Sequence, residues 1–389
     1  MLQVLEQAQS ISELLRELRR DFHRHPEPSF EEERTASVVA GFLRGLGLQV
    51  QTFADIHGLW ADLRVEGAGE TIALRADMDA LRMDELATPA KCSFVSQNKG
   101  AAHCCGHDAH MAMLLGAAKL LAEGKVRATK NVRFLFQHAE EQVPGGAIEL
   151  IERGCLDGVS RIFGLHVIPP IPAGMFIIGA GPMMASADDI SIRVQGKGGH
   201  AAMPHLVRDP IVAGSQIVEN LQQLVSRRAG PLRPAVISIC SFQGGSGTNN
   251  VIPDFVEMAG TVRSLDEDLR GELPAWIQTS VQNVSKACGC EAELDYKKGY
   301  PVLVNDRDAT QYARETALSL FGEDAIHPSP FPLLAGEDFA YYAQEIPACY
   351  VFLGTGKPGM DSPNHATDFD VSEETLPLGT AWFSALTTQ

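Results

Sequence analysis

The chain has 389 residues, 45% hydrophobic and 21% charged, with 32 basic against 49 acidic residues for a net charge of −17. That length suits two domains around a large core. An acidic chain without a basic run argues against nucleic acid or an anionic membrane as partner.

No apolar run reaches the length of a membrane-spanning helix. The opening M-L-Q-V-L-E-Q-A-Q-S lacks the basic and apolar regions of a signal peptide. Eight irregularly spaced Cys fit free thiols better than a disulfide framework, and a cytoplasmic protein is expected. In chain order, helical spacing runs over residues 3–24 into His23-Arg24-His25-Pro26. A second helix is predicted over 29–43, with Glu31, Glu32 and Glu33 in its first turn. Strands are predicted at 48–53, 59–65 and 71–74, the last delivering Arg75-Ala76-Asp77-Met78-Asp79. Asp77 and Asp79 fit a functional role at a strand's carboxyl end, and equally a turn with capping duty.

From Ala102 the chain reads A-H-C-C-G-H-D-A-H: three His, two Cys and an Asp in nine residues. Thiolate, imidazole and carboxylate are the ligands of first-row metals, and Gly106 lets the backbone turn so that Cys105 and His107 face one ion. A helix is predicted over 111–121, so the cluster sits at a loop-to-helix junction, where the positive helix end favours a thiolate. Buried thiols and surface His are the plainer alternative, against which stand matching donors that recur downstream. The strand 131–137 delivers His138-Ala139-Glu140-Glu141, and the strand 161–165 delivers His166. The Glu pair fits catalysis, or a solvated start to the helix predicted over 145–153. Strands alternating with helices predict a parallel, doubly wound sheet.

A turn-rich passage follows, from Pro169 to Pro182. Strands are then predicted at 189–195, 235–242, 254–262 and 291–296. Helices are predicted at 209–225 and 267–288, the second interrupted by Pro274. This order suggests a small sheet with helices on one face, inserted into the first domain. The expected fold is α/β, a mixed, mainly parallel sheet flanked by helices, with an inserted α+β ferredoxin-like lid or dimerisation domain. The expected boundaries are 1–182, 183–293 and 294–389. A helix begins near Gly336-Glu337-Asp338-Phe339, a strand covers 349–354, and His365 lies in the loop beyond.

Taken together, these residues resemble the dinuclear-metal amidohydrolases of the aminoacylase and carboxypeptidase-G-like clan. The branch most similar is that of hippurate hydrolases, N-acyl-amino-acid deacylases and plant auxin-conjugate hydrolases. The resemblance spans nearly the whole chain. It is carried by D-F-H-R-H-P-E-P-S-F-E-E, R-A-D-M-D-A-L, H-C-C-G-H-D-A-H, F-Q-H-A-E-E, F-G-L-H-V, G-K-G-G-H-A-A-M-P-H, G-T-N-N-V-I-P-D, G-T-V-R-S, G-E-D-F-A and the late His365 followed by Phe369, in the family's order.

The resemblance implies two divalent metal ions per subunit, Zn, Mn, Co or Ni, held by Cys105, His107, Glu141, His166 and His365. It implies that water shared by those ions attacks the amide of an N-acyl-amino acid, with Glu140 as general base and Asp79 orienting the site. His200 would reach toward the substrate carbonyl, often in a partner's site. Asn250 and Arg263 would bind the substrate carboxylate, and a homodimer or higher homo-oligomer is expected. As residues alone, His200 also fits a Gly-rich turn, Arg263 a strand end and Asn250 a loop. His110 and His138 fit supporting or core positions better than ligation. His23 and His25 are left between an outer wall of the site and a loop cap. Three departures stand out: Arg82 and Thr367 replace the usual Pro, and Cys104 a small residue, which places an oxidisable thiol beside Cys105.

The rival readings are a dipeptidase or exopeptidase of the same clan, a non-catalytic metal- or ligand-binding relative, and a thiol redox protein. The peptidase branches usually carry His-x-Asp where Asp77-Met78-Asp79 stands. All ligands and Glu140 are present, against the binding-protein reading. Cys104–Cys105 lacks the C-x-x-C spacing of redox proteins.

Overall fold

The computed structural model describes residues 2–388 and divides into two compact units. The first takes the chain up to Met183, Val304–Phe331 and everything from Asp338. Its main sheet runs in the order Gln49–Gln51, Leu59–Leu63, Asn131–Gln137, Thr71–Asp77, Arg161–Pro172, Ala348–Gly356, Phe176–Ile177. The four middle strands are parallel, and the outer ones pair antiparallel. Thr71–Asp77 is buried along its whole length, because a parallel strand covered on both faces presents no solvent side. Its sequence is accordingly a continuous buried run rather than an alternation.

The chain reverses its direction of growth at Thr71–Asp77. It first crosses to Asn131–Gln137 on one side, then to Arg161–Pro172 on the other. Such a reversal opens a crevice at the carboxyl ends of the strands, the place where open α/β sheets bind ligands. The helix His107–Ala122 makes the first crossing. Fourteen of its 16 residues are buried, since it packs against the helices Ser12–Arg24 and Leu376–Ala385 as well as the sheet. An all-round apolar helix is stable only when enclosed in this way; each of its buried Leu side chains contributes ~1.5–3 kcal/mol.

The second unit comprises Met184–Leu303 and Pro332–Glu337. Its sheet is antiparallel, in the order Ala235–Gly244, Phe255–Ser264, Ala187–Gln195, Glu291–Tyr300. With the helices Pro210–Gln223 and Glu267–Ala287 this is the βαββαβ, ferredoxin-like arrangement. Ala187–Gln195 alternates buried and exposed residues, as a sheet with one covered face must. Each helix starts on an Asp cap. Asp209 accepts from Ile211 N–H, 2.9 Å, ahead of Pro210 at the first helical position, and Asp266 accepts from Leu269 N–H, 2.8 Å.

Several expectations shift. Glu291–Tyr300 pairs with Ala187–Gln195 from its first residue to its last, so the boundary expected at 293 falls inside a strand of the small sheet. Pro274 does not interrupt its helix; Leu269, Leu273, Ile277 and Val281 are buried on either side of it and hold the helix continuous across the missing N–H. The helix expected from 29 starts at Glu33, because Phe30 has φ +67°, outside the helical region. The helix expected from 111 starts at His107.

Candidate metal centre

The loop before His107–Ala122 is turned by Gly106, whose φ is +100°. A Cβ there would lie 2.3 Å from Val167 Cγ2, so both conformation and space require glycine. The turn sets Cys105 and His107 on either side of it. Glu140 and Glu141 arrive from the end of Asn131–Gln137, His166 from within Arg161–Pro172, and His365 from the loop after Ala348–Gly356.

These side chains converge. Cys105, His107 and His166 place their donor atoms within 4.8 Å of one another, and so do Cys105, Glu141 and His365. The two triads share Cys105 and together contain all five expected ligands. Cys105 Sγ is 3.4 Å from His166 Nε2, His365 Nε2 is 3.2 Å from Glu141 Oε1, and Glu140 Oε2 is 3.9 Å from His107 Nε2.

Supporting hydrogen bonds aim the imidazoles. His107 Nδ1 donates to the Asp79 carbonyl, 2.9 Å, and His166 Nδ1 to the Val167 carbonyl, 2.9 Å, leaving each Nε2 turned to the cluster. Asp79 Oδ2 accepts from the Ser29 hydroxyl, 2.7 Å, and from Glu141 N–H, 2.9 Å. Asp79 thus fixes both His107 and the start of Glu141. Asp77 is bound by Arg75, 2.7 Å, and by His110 Nδ1, 2.6 Å, while His110 Nε2 accepts from Val167 N–H, 3.0 Å. Both nitrogens of His110 are therefore occupied as a brace. His138 Nε2 pairs with Glu149, 2.7 Å, and His23 joins Asp108, 2.8 Å, to Glu85, 3.1 Å.

The loop carrying His365 is anchored from several sides. His365 N–H donates to the Cys104 carbonyl, 2.7 Å, and the Asn364 amide to the Cys105 carbonyl, 2.9 Å. Lys91, fully buried, reaches the Phe369 carbonyl at 2.8 Å and Glu85 at 2.7 Å. The Thr367 carbonyl accepts from Leu86 N–H, 2.8 Å, so the backbone is held there without proline. Arg82 forms an exposed pair with Glu31, 2.7 Å. Cys104 is wholly buried, its thiol pushed up to about 12 by burial.

The electrostatics ask for positive charge. Burial, then Glu141 and Glu140, hold the Cys105 thiol well above its ordinary range, against the thiolate expected from the helix end alone. Burial alone would depress His107, but Asp77, Asp79 and Glu141 lift it to about 10. Burial and His110 hold His166 well below its ordinary value, and the bond to Glu141 raises His365. His107 Nε2 is buried without a hydrogen-bond partner, while Glu141 Oε1 lies 3.2 Å from His365 Nε2 and Asp79 Oδ1 3.3 Å from His107 Nδ1. Sulfur, nitrogen and oxygen donors gathered this closely fit divalent cations, which would displace the protons from Cys105 and His107.

Residues 73–389 match the family model described as peptidase family M20/M25/M40. The chain belongs to this family. It is 44% identical over 287 residues to the N-acyl-L-amino acid amidohydrolase of Geobacillus stearothermophilus, covering 74% of this chain and 76% of that protein. It is 37% identical over 374 residues to thermostable carboxypeptidase 2 of Saccharolobus solfataricus, covering 95% and 93%. The crystal structure of Bacillus subtilis YxeP, described as a dinuclear metal binding peptidase from the M20 family, superposes with a TM-score of 0.83 at 33% identity, covering 97% and 98%. As an M20 protein the chain is a hydrolase of the metallopeptidase kind.

The remaining residues expected at the M20 site lie in the second unit. His200 is exposed on the short strand Gly199–His200, paired opposite Val251, and its Nδ1 accepts from Ala202 N–H, 3.1 Å. Asn250, next to Val251, accepts Ala201 N–H at its carbonyl, 2.9 Å, so His200 and Asn250 adjoin across one ladder. Arg263, half-buried, lies in Phe255–Ser264 opposite Val236. Ser29, Glu32, Lys91 and Asn364 were not singled out from the sequence. Ser29 and Glu32 lie within the motif D-F-H-R-H-P-E-P-S-F-E-E, and Asn364 immediately precedes His365. Lys91 carried no signal.

Proposed function

We propose that this chain hydrolyses the amide bond of N-acyl-amino acids, consuming one water and releasing a carboxylic acid and a free amino acid. The observation that carries this reading is the pair of ligand triads sharing Cys105, with Glu140 beside them but outside both. Cys105, His107 and His166 would hold one ion and Cys105, Glu141 and His365 the other, with Zn, Mn, Co and Ni all compatible with the donors. Two such ions supply a water acidified toward neutral pH and charge stabilisation at the substrate carbonyl.

The protein's own groups do the rest. Glu140, 6% exposed, takes the water's proton and passes it to the amine nitrogen as the C–N bond breaks. Asp79 keeps His107 and Glu141 in place. His200 donates to the carbonyl oxygen as negative charge develops there, and Arg263 and Asn250 receive the substrate carboxylate. A cytoplasmic homodimer belongs to the same proposal. The strand Ala235–Gly244 is an edge of the small sheet, with Val236 and Phe242 exposed, and light scattering should give twice the 42.0 kDa chain mass.

The likeness to an archaeal carboxypeptidase favours a second reading, removal of a C-terminal residue from short peptides. The same triads and Glu140 serve either amide. Amino-acid release from a panel of N-acetyl, benzoyl and indole-acetyl conjugates beside plain dipeptides separates the two. The test uses chelated protein with and without Mn²⁺ or Zn²⁺. Metal-dependent release from acyl conjugates is expected. Release from dipeptides alone would favour the peptidase reading, and release from nothing would overturn both.

A further inference from the structure

Glu32 is fully buried and takes no part in the chemistry above. It stands directly before the helix Glu33–Gly45, yet it does not cap it. Glu27 does that work, accepting from Arg34 N–H at 3.0 Å and Thr35 N–H at 2.7 Å. The Glu32 carboxylate turns inward instead. Its Oε1 accepts from Phe30 N–H, 3.1 Å, and from Ala139 N–H, 2.8 Å, a partner 107 residues away. Its Oε2 is buried without a partner.

The two residues that donate to this one oxygen share an unusual backbone. Among the described residues, the non-glycine positions with positive φ are Phe30 at +67°, Ala139 at +52° and His365 at +69°. A left-handed L-residue persists only where its surroundings over-determine it, and such positions gather at functional sites. Ala139 is the hinge between the end of Asn131–Gln137 and Glu140–Glu141. Its carbonyl accepts from Gly146 N–H, 3.1 Å, so the hinge is fastened on both of its polar groups. The segment bearing Glu32 is itself tied to the neighbouring strand end. Ala80 N–H donates to the Glu27 carbonyl, 2.8 Å, and Ser29 to Asp79, 2.7 Å.

We propose that Glu32 is a positioning residue that clamps the left-handed turn at Ala139 and thereby sets Glu140 and Glu141 for their separate tasks. The inference rests on the proposed metal site and deepens it. Its action is that of a hydrogen-bond acceptor, so Glu32→Gln, which keeps an accepting oxygen, should preserve most of it. Glycine adopts positive φ without steric cost, so Ala139→Gly should make the clamp partly dispensable.

The test is a double-mutant cycle on the full-length, metal-loaded protein, read in two ways. Steady-state kinetics on the best substrate of the panel give kcat and KM. Zn²⁺ affinity by chelator competition, with the visible spectrum of the Co²⁺-loaded protein, reports the set of Glu141 whether or not the substrate class is right. Glu32→Ala should lower kcat by about 30-fold with KM within about threefold, in line with the cost of a small misplacement. It should also weaken Zn²⁺ binding about tenfold and shift the Co²⁺ bands. Glu32→Gln should lose less than about fivefold in kcat, and Glu32→Ala in the Ala139→Gly background less than in the parent. Equal losses in both backgrounds, a Gln variant as impaired as the Ala variant, or unchanged metal affinity and spectrum would each overturn the clamp. Should Glu32→Ala fail to fold, the Gln variant and its cycle with Ala139→Gly decide. Altered metal binding without turnover of any panel substrate would sustain the clamp while defeating the proposed function.

Discussion

Glu140 and Glu141 are neighbours with different surroundings, and the proposed function gives them different work. Glu141 has its N–H fixed by Asp79 and its carboxylate beside His365, which supports its proposed role as ligand. Glu140 lies beside the triads, near His107 and Glu141, and in the proposed reaction it carries the proton. Glu140→Gln should therefore lower kcat by about 10²–10⁴-fold while metal content by elemental analysis stays at the parent's value. A loss of metal in that variant would make Glu140 a ligand instead. At this scale the sequence was informative wherever chemistry clusters locally, as in the run from His103 to His110, and wherever the motifs resemble a known family. It was silent where a role exists only through tertiary contact. Glu32 reads as a first-turn helix acid until the fold brings Ala139 to it, and Lys91 carries no signal in the sequence, although it is buried against Phe369 and Glu85.

Among the elements, the junction of loop and helix at Gly106 does the most to place the proposed ligands. Cys105 and His107 face the same cluster only because the residue between them takes φ +100°. Gly106→Ala would drive a Cβ into Val167 Cγ2, 2.3 Å away, and would oppose that φ as well. The expected result is metal affinity lowered by at least about tenfold, measured by chelator competition, with the far-UV spectrum unchanged. Parent-like affinity would show that the turn tolerates a side chain. The glycine and the apolar run after it were legible together, but the helix start was not. His107, Asp108 and His110 are polar yet buried, so apolar periodicity alone placed the start four residues late. Pro274 erred in the other direction, because a local breaking signal lost to the tertiary burial of the helix around it.

Across the whole molecule, a buried ionic chain ties distant segments to the metal centre. Arg19 pairs with Asp108, 3.1 Å, and with Asp370 at 2.5 Å. His23 links Asp108 to Glu85, and Glu85 holds Lys91 against the loop that carries His365. Burial would raise the Glu85 carboxyl, but His23, Lys91 and the Ser96 amide outweigh it and bring it down to about 2. A carboxyl whose folded pKa lies below its unfolded value contributes stability that is present above about 4.5 and is lost as pH falls from there toward 2. Thermal melting between pH 5 and pH 3 should therefore fall less steeply for Glu85→Gln than for the parent, and identical slopes would remove Glu85 from the acid response. The overall architecture was readable because strand–helix alternation and the later shift to paired strands are long-range patterns. Where one unit gives way to the other was less readable, since Glu291–Tyr300 ends in the same sheet it began in and no turn signal marks residue 293.

A metal titration of the chelated protein, with amino-acid release from an N-acyl-amino acid followed at each equivalent of Mn²⁺ or Zn²⁺, tests the proposed two-ion site. The two triads around Cys105 predict negligible release without metal and a rate that saturates at two ions per chain, with Cys105→Ala unable to reach it because both triads lose their common member. Full activity in metal-free protein, saturation at a single ion, or a Cys105→Ala variant as active as the parent would rule out the two-ion site.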